Sequence, residues 1–172
     1  SFSFSVPDGQ YELVVNAPGH TALKLDAAFS ASNSPAFAPG AALKLTIKEK
    51  ALDGSVGGFV PVRVELRGPT FIRVSQTKDA QVIPVPPGDY DVTVSRGLAY
   101  EVWKKKLSFQ PKGGKSMTLE ETVTLEKVID TTGYVNADMH LHATPSIDSE
   151  LSLEERVSDV VAEGLQFAVA TD

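Results

Sequence analysis

The chain has 172 residues, 42% hydrophobic and 22% charged, with a formal net charge of −6, the composition of a globular protein of one or two domains. The acidic balance argues against a nucleic-acid partner, since it leaves no electrostatic footprint for a phosphate backbone. The absence of cysteine excludes disulfides and thiolate metal sites, and no run of 18 apolar residues exists to span a membrane as a helix.

Residues 1 to about 127 read as strand and turn. Tyr11–Val15, Leu43–Ile47, Val60–Leu66, Val92–Val94 and Met117–Leu125 are rich in β-branched and apolar residues at period two. Pro7-Asp8-Gly9, Pro18-Gly19, Asp53-Gly54, Gly57-Gly58, Pro86-Pro87-Gly88 and Gly113-Gly114 punctuate them. Many short strands at this spacing predict an antiparallel β-sandwich. The run Lys104-Lys105-Lys106 is expected at a strand edge or end, where lysines discourage edge-to-edge pairing. His20, after Pro18-Gly19, is expected as a surface loop histidine.

An internal repeat relates Val6–Val15 to Val85–Val94, each a proline-glycine turn followed by a tyrosine flanked by acidic residues on a strand. The repeat divides the region into the C-terminal strands of a first sandwich module, residues 1–38, and a complete module over 41–127, joined by a small, polar stretch from Ser30 to Gly40. Tyr90 and Val92 are expected on opposite faces of their strand. Asp53-Gly54-Ser55, Pro61–Leu66 and Val85–Val94 together resemble the carboxypeptidase regulatory-like (prealbumin-like, Ig-like) β-sandwich. That resemblance implies an accessory or spacer domain in an extracytoplasmic setting, periplasmic or secreted.

After Asp130 the pattern changes. Tyr134–His142 reads as a strand. Ser152-Leu153-Glu154-Glu155 is a capping box, and Leu153, Val157, Val160 and Val161 fall on one helical face up to a closing Gly164. Leu165–Ala170 is a near-continuous apolar run, as in a buried parallel strand. Residues 133–172 thus predict one strand–helix–strand unit. The start at Ser1, without methionine or signal peptide, and the stop at Asp172 right after that run read as cuts within a longer protein.

Two of the three histidines lie in Asp138-Met139-His140-Leu141-His142. Alternation along a strand places Asp138, His140 and His142 on one face and Ala137, Met139, Leu141 and Ala143 on the other, where a helix can cover them. Two imidazoles on one face can converge on a zinc, iron or manganese ion, with carboxylates as harder ligands.

Gly133–His142, Pro145–Ser149, the helix with Arg156 and Glu163-Gly164, and the ending Thr171-Asp172 together resemble the opening of PHP-family metallohydrolases, most closely the carbaryl-hydrolase-like (CehA/McbA) branch. The domain order, a sandwich followed by this segment, fits the same branch. The resemblance implies the first unit of a distorted (β/α)7 barrel that binds up to three divalent metals. It implies His140, His142 and Asp148 as metal ligands, although Asp148 stands one residue further from the second histidine than in many members. It implies Asp138 and Asp172 as residues that support the ligands from behind, and it assigns no role to Ser146 or Ser149. The implied activity is hydrolysis of a phosphoester, ester or carbamate bond in a small-molecule substrate. The 172-residue chain alone is expected to be inactive, and the apolar strand at 165–170 is expected to be covered by the rest of the barrel or by another chain. The rival reading is a non-catalytic binding or spacer sandwich with a degenerate PHP segment. One tryptophan and four tyrosines without an aromatic row give that reading little support as a sugar binder.

Overall fold

The computed structural model describes residues 13–25 and 37–171. The chain is mainly β. β1 (Leu13–Val15) and β2 (Leu23–Leu25) form a small antiparallel hairpin. The body of the molecule comprises β3 (Ala41–Lys50), β4 (Val62–Arg67), β5 (Phe71–Gln76), β6 (Val82–Val85), β7 (Gly88–Ser95), β8 (Trp103–Phe109) and β9 (Met117–Glu126). β10 (Ala137–Leu141), α1 (Leu153–Ala162) and β11 (Phe167–Ala170) follow.

Two sheets face each other in the body, one ordered β6-β3-β9 and the other β5-β4-β7-β8. Their inward residues share one core: Leu43, Leu45, Ile47, Ile83, Val85, Val123 and Leu125 from the first meet Val64, Leu66, Tyr90, Val92, Leu107 and Phe109 from the second. Each such side chain, fully withdrawn from water, contributes roughly 1.5–3 kcal/mol before the cost of ordering the chain. Tyr90 packs edge-on against Phe109, with centroids 5.8 Å apart. Gln76 is the buried polar residue of this core, and its amide nitrogen donates across it to the Leu45 carbonyl at 3.0 Å.

Within these two sheets pairing is antiparallel except between β3 and β9, which run parallel over their full lengths. Parallel neighbours need a long crossover, and here the five intervening strands supply it. On the outer face of this pair, Lys44 meets Glu120 at 3.2 Å and Lys50 meets Glu126 at 3.0 Å, both at register-matched positions.

Several expectations need correction. Tyr90 and Val92 do not lie on opposite faces. At period two they share a face, and both are core residues, 2% and 1% exposed. Strands β5, β6 and β8 were not expected. β5 and β6 are edge strands whose polar residues and Pro84 mask the pattern, and a proline is tolerated at an edge. In β8 the lysine run hides the inward Leu107 and Phe109, and its edge position agrees with the reading of those lysines. Pro86-Pro87-Gly88 is a turn, but it carries the chain from one sheet to the other rather than closing a hairpin. Gly88 sits there at φ 150°, with Pro69 so close that an added Cβ would collide with its ring. His20 does lie in a loop at the surface, partly exposed, with its Nδ1 2.6 Å from the Ala38 carbonyl. The first copy of the repeat falls mostly outside the described residues; its described part, Leu13–Val15, is a strand.

β10 and β11 pair in parallel, as the strand–helix–strand reading requires. Ser152 caps α1 with a complete capping box. Its hydroxyl accepts from the Glu155 amide at 3.2 Å, while the Glu155 carboxylate accepts from the Ser152 amide at 3.1 Å. Gly164, at φ 70°, closes the helix: its N–H reaches the Val161 carbonyl, and the Leu165 N–H reaches Val160, which is the Schellman pattern. The packing of α1 departs from expectation. Its apolar stripe faces outward, with Leu153 62%, Val157 54% and Val161 38% exposed. Its other side, bearing Asp159, Ala162 and Glu163, lies against β4 and β5 of the sandwich.

Candidate metal centre

The histidine segment leaves the C-terminal end of β10. The register between β10 and β11 slips between Asp138 and Leu141, where three residue steps on β10 face two on β11. Such irregularities interrupt the ladder and re-aim side chains. Met139, expected under a helix, is 63% exposed. Asp138 sits at the slip, where its carboxylate accepts from the His140 backbone N–H at 3.0 Å. A short acidic side chain bonding two residues ahead gives that amide a partner where the ladder lapses. Asp138 therefore supports the site through the backbone and makes no described bond to an imidazole.

His140 and His142 come together as the alternation predicts. Their Nε2 atoms are 2.8 Å apart and their ring centroids 4.8 Å. At that separation one ring donates an N–H and the other accepts. His142 Nδ1 faces the loop, 3.2 Å from the Ser146 hydroxyl and 3.2 Å from Asp148 Oδ1. Ser146 in turn donates to Asp148 at 2.6 Å. That hydrogen bond chiefly, and the adjacent His142 and His140 rings after it, hold the Asp148 carboxyl below its ordinary value of 3.8.

Asp148 thus stands behind His142, on the nitrogen opposite the histidine pair, where the resemblance implied a third ligand. This is the place of a carboxylate that orients a metal-binding imidazole. Asp172 lies outside the described residues. Its neighbour Thr171 ties the end of β11 to this strand, with backbone and hydroxyl both donating to the Leu141 carbonyl.

Three further residues build the site without having been assigned to it from sequence. Ser146 bridges His142 and Asp148. The Ser149 hydroxyl donates to the His142 carbonyl at 3.3 Å, and Arg156 Nε, reaching from α1, donates to the same oxygen at 2.8 Å. Serines in a loop and an arginine on a helix carry no spacing signal for such roles.

The donor chemistry fits a borderline divalent ion, with two imidazole nitrogens aimed at each other and one ring backed by a carboxylate. Tetrahedral zinc bonds of roughly 2.0–2.1 Å place two ligand nitrogens about 3.3 Å apart, so the rings need to open only slightly. Among the described residues no group of three or more His, Cys, Asp or Glu is placed to hold a metal. The described residues therefore furnish two donors of a centre that needs more. No family model matches the chain, and neither the curated proteins nor the solved structures contain a match to it.

Proposed function

We propose that this chain contributes the first ligands of a metal-dependent hydrolase of the PHP type, in the carbaryl-hydrolase-like branch, which cleaves a phosphoester, ester or carbamate bond of a small molecule outside the cytoplasm. The observation that carries the reading is the Nε2 pair of His140 and His142, with Asp148 and Ser146 gripping the far nitrogen of His142. Zinc, manganese or iron ions, up to three in a complete centre, lower the pKa of a bound water and polarise the substrate oxygen. His140 and His142 would hold such an ion through their ring nitrogens, with Asp148 orienting the His142 ring from its Nδ1 side. Asp138 and Arg156 hold the backbone on either side of the pair.

The apolar surface of the strand–helix–strand unit supports the same reading. Eight of the 18 large exposed hydrophobic side chains among the described residues, Tyr134 to Phe167, lie in this unit. Phe167 is 51% exposed, and among the described residues β10 and β11 pair only with each other. Further barrel strands packing on both would cover this surface, including residues 165–170.

The test is turnover of a chromogenic phosphodiester and an aryl carbamate in Zn²⁺ and Mn²⁺, assayed with the 172-residue chain and with a version extended beyond Asp172. The extended protein is expected to hydrolyse one of the two and to lose that activity on His140→Ala, while the shorter chain turns over neither. An extended protein that binds no metal and cleaves neither substrate would instead favour a spacer sandwich with a degenerate PHP segment.

A further inference from the structure

We propose that the β-sandwich sets the position of the histidine pair through α1, with Asp159 and Arg156 as positioning residues. The proposal rests on the metal-site reading for its functional meaning and on hydrogen bonds for its geometry.

One side of α1 carries both connections. Arg156, Asp159 and Glu163 are spaced i, i+3 and i+7, which aligns them on one face. From that face Arg156 Nε holds the His142 carbonyl at 2.8 Å. One turn on, the Asp159 carboxylate accepts from the Ser75 hydroxyl of β5 and lies 3.7 Å from Arg73 of the same strand. Glu163 pairs with Arg63 of β4. The path from sandwich to site is Ser75–Asp159, one helical turn, then Arg156–His142.

The sandwich also completes the helix terminus. The last turn of α1 has no basic residue. Arg96, just after β7, donates to the Val161 carbonyl at 3.0 Å and to the Pro61 carbonyl at 2.6 Å. A guanidinium there satisfies a terminal carbonyl and opposes the negative end of the helix dipole. Gly97 follows at φ 56°, so near the Glu163 carbonyl that a Cβ would clash with it. The backbones are in close contact at this point, and the seat admits little sliding. The apolar stripe of α1 is exposed, so among the described residues the helix is seated by the buried Ala162 and by these polar ties. An ion held by two imidazoles responds to ring displacements well under an ångström, and losing an outer-shell support costs 10–100-fold in metal affinity.

The experiment uses the full 172-residue chain and two measurements: Co²⁺ titration, and long-range ¹H–¹⁵N NMR of the imidazoles without metal. Asp159→Ala is expected to weaken Co²⁺ binding about ten-fold and to shift the ring signals of both His140 and His142. Asp159→Asn, which can still accept from Ser75, is expected to restore most of both. Ser75→Ala, which leaves every α1 side chain in place, is expected to act in the same direction and covers the case in which Asp159→Ala melts the helix. Lys105→Ala, which breaks an ion pair with Glu121 elsewhere on the sandwich, is expected to change neither. Wild-type ring signals and Co²⁺ affinity in both Asp159→Ala and Ser75→Ala would overturn the proposal. If the wild-type chain binds no Co²⁺, the metal reading fails, and the ring signals alone decide the coupling.

Discussion

The Asp148 carboxylate shows how a few hydrogen bonds tune a single residue. Ser146 donates to it and His142 lies beside it, so its proton is held less tightly than usual. A carboxyl depressed on folding stabilises the fold fully above its unfolded value, here about 3.8, and loses that contribution as pH falls through the depressed value. Ser146→Ala is expected to move the Asp148 titration back up toward 3.8, read from the carboxyl ¹³C shift against pH; an unchanged midpoint would mean the serine is not the cause. Glu155 follows the same sign, because Ser152 holds its carboxyl below the ordinary 4.5. Protection of the α1 amides from exchange should therefore decline as pH drops below that region. Ser152→Ala should remove this dependence and cost the helix about 1 kcal/mol.

At the scale of elements, what was legible in the sequence depended on how many faces each element buries. β3, β7 and β9 alternate cleanly because one face meets the core and the other water. In β5, β6 and β8 polar residues, Pro84 and the lysine run masked the pattern, as edge positions allow; β9, also at an edge, carries no such interruption. The histidine pair was legible because i and i+2 on a strand share a face. The register slip beside it was not, since Asp138 bonding to the His140 amide leaves no mark in periodicity. Nor was the seating of α1, because a stripe of Leu153, Val157 and Val161 implies a buried face and the structure buries the other one. A core position and an exposed one should separate on mutation. Phe109→Ala is expected to cost about 3–5 kcal/mol of sandwich stability by denaturant unfolding. Val157→Thr in this chain should stay within about 0.5 kcal/mol, and a cost like that of Phe109→Ala would show the stripe to be covered in solution.

The whole molecule joins a closed unit to an open one. The sandwich has its own core and cross-strand ion pairs, each of the latter worth about 0.2–1 kcal/mol at such exposure. The strand–helix–strand unit has two strands, an outward apolar stripe and a ligand pair, and it leans on the sandwich through Arg63, Arg73, Ser75 and Arg96. The central claim is that the two rings which now touch each other are built to share a metal. X-ray absorption on the zinc-loaded chain measures this most directly. The predicted result is a first shell containing two imidazole nitrogens at about 2.0–2.1 Å, reduced by one in His140→Ala and by one in His142→Ala. A first shell of oxygen alone, unchanged by either substitution, would contradict it.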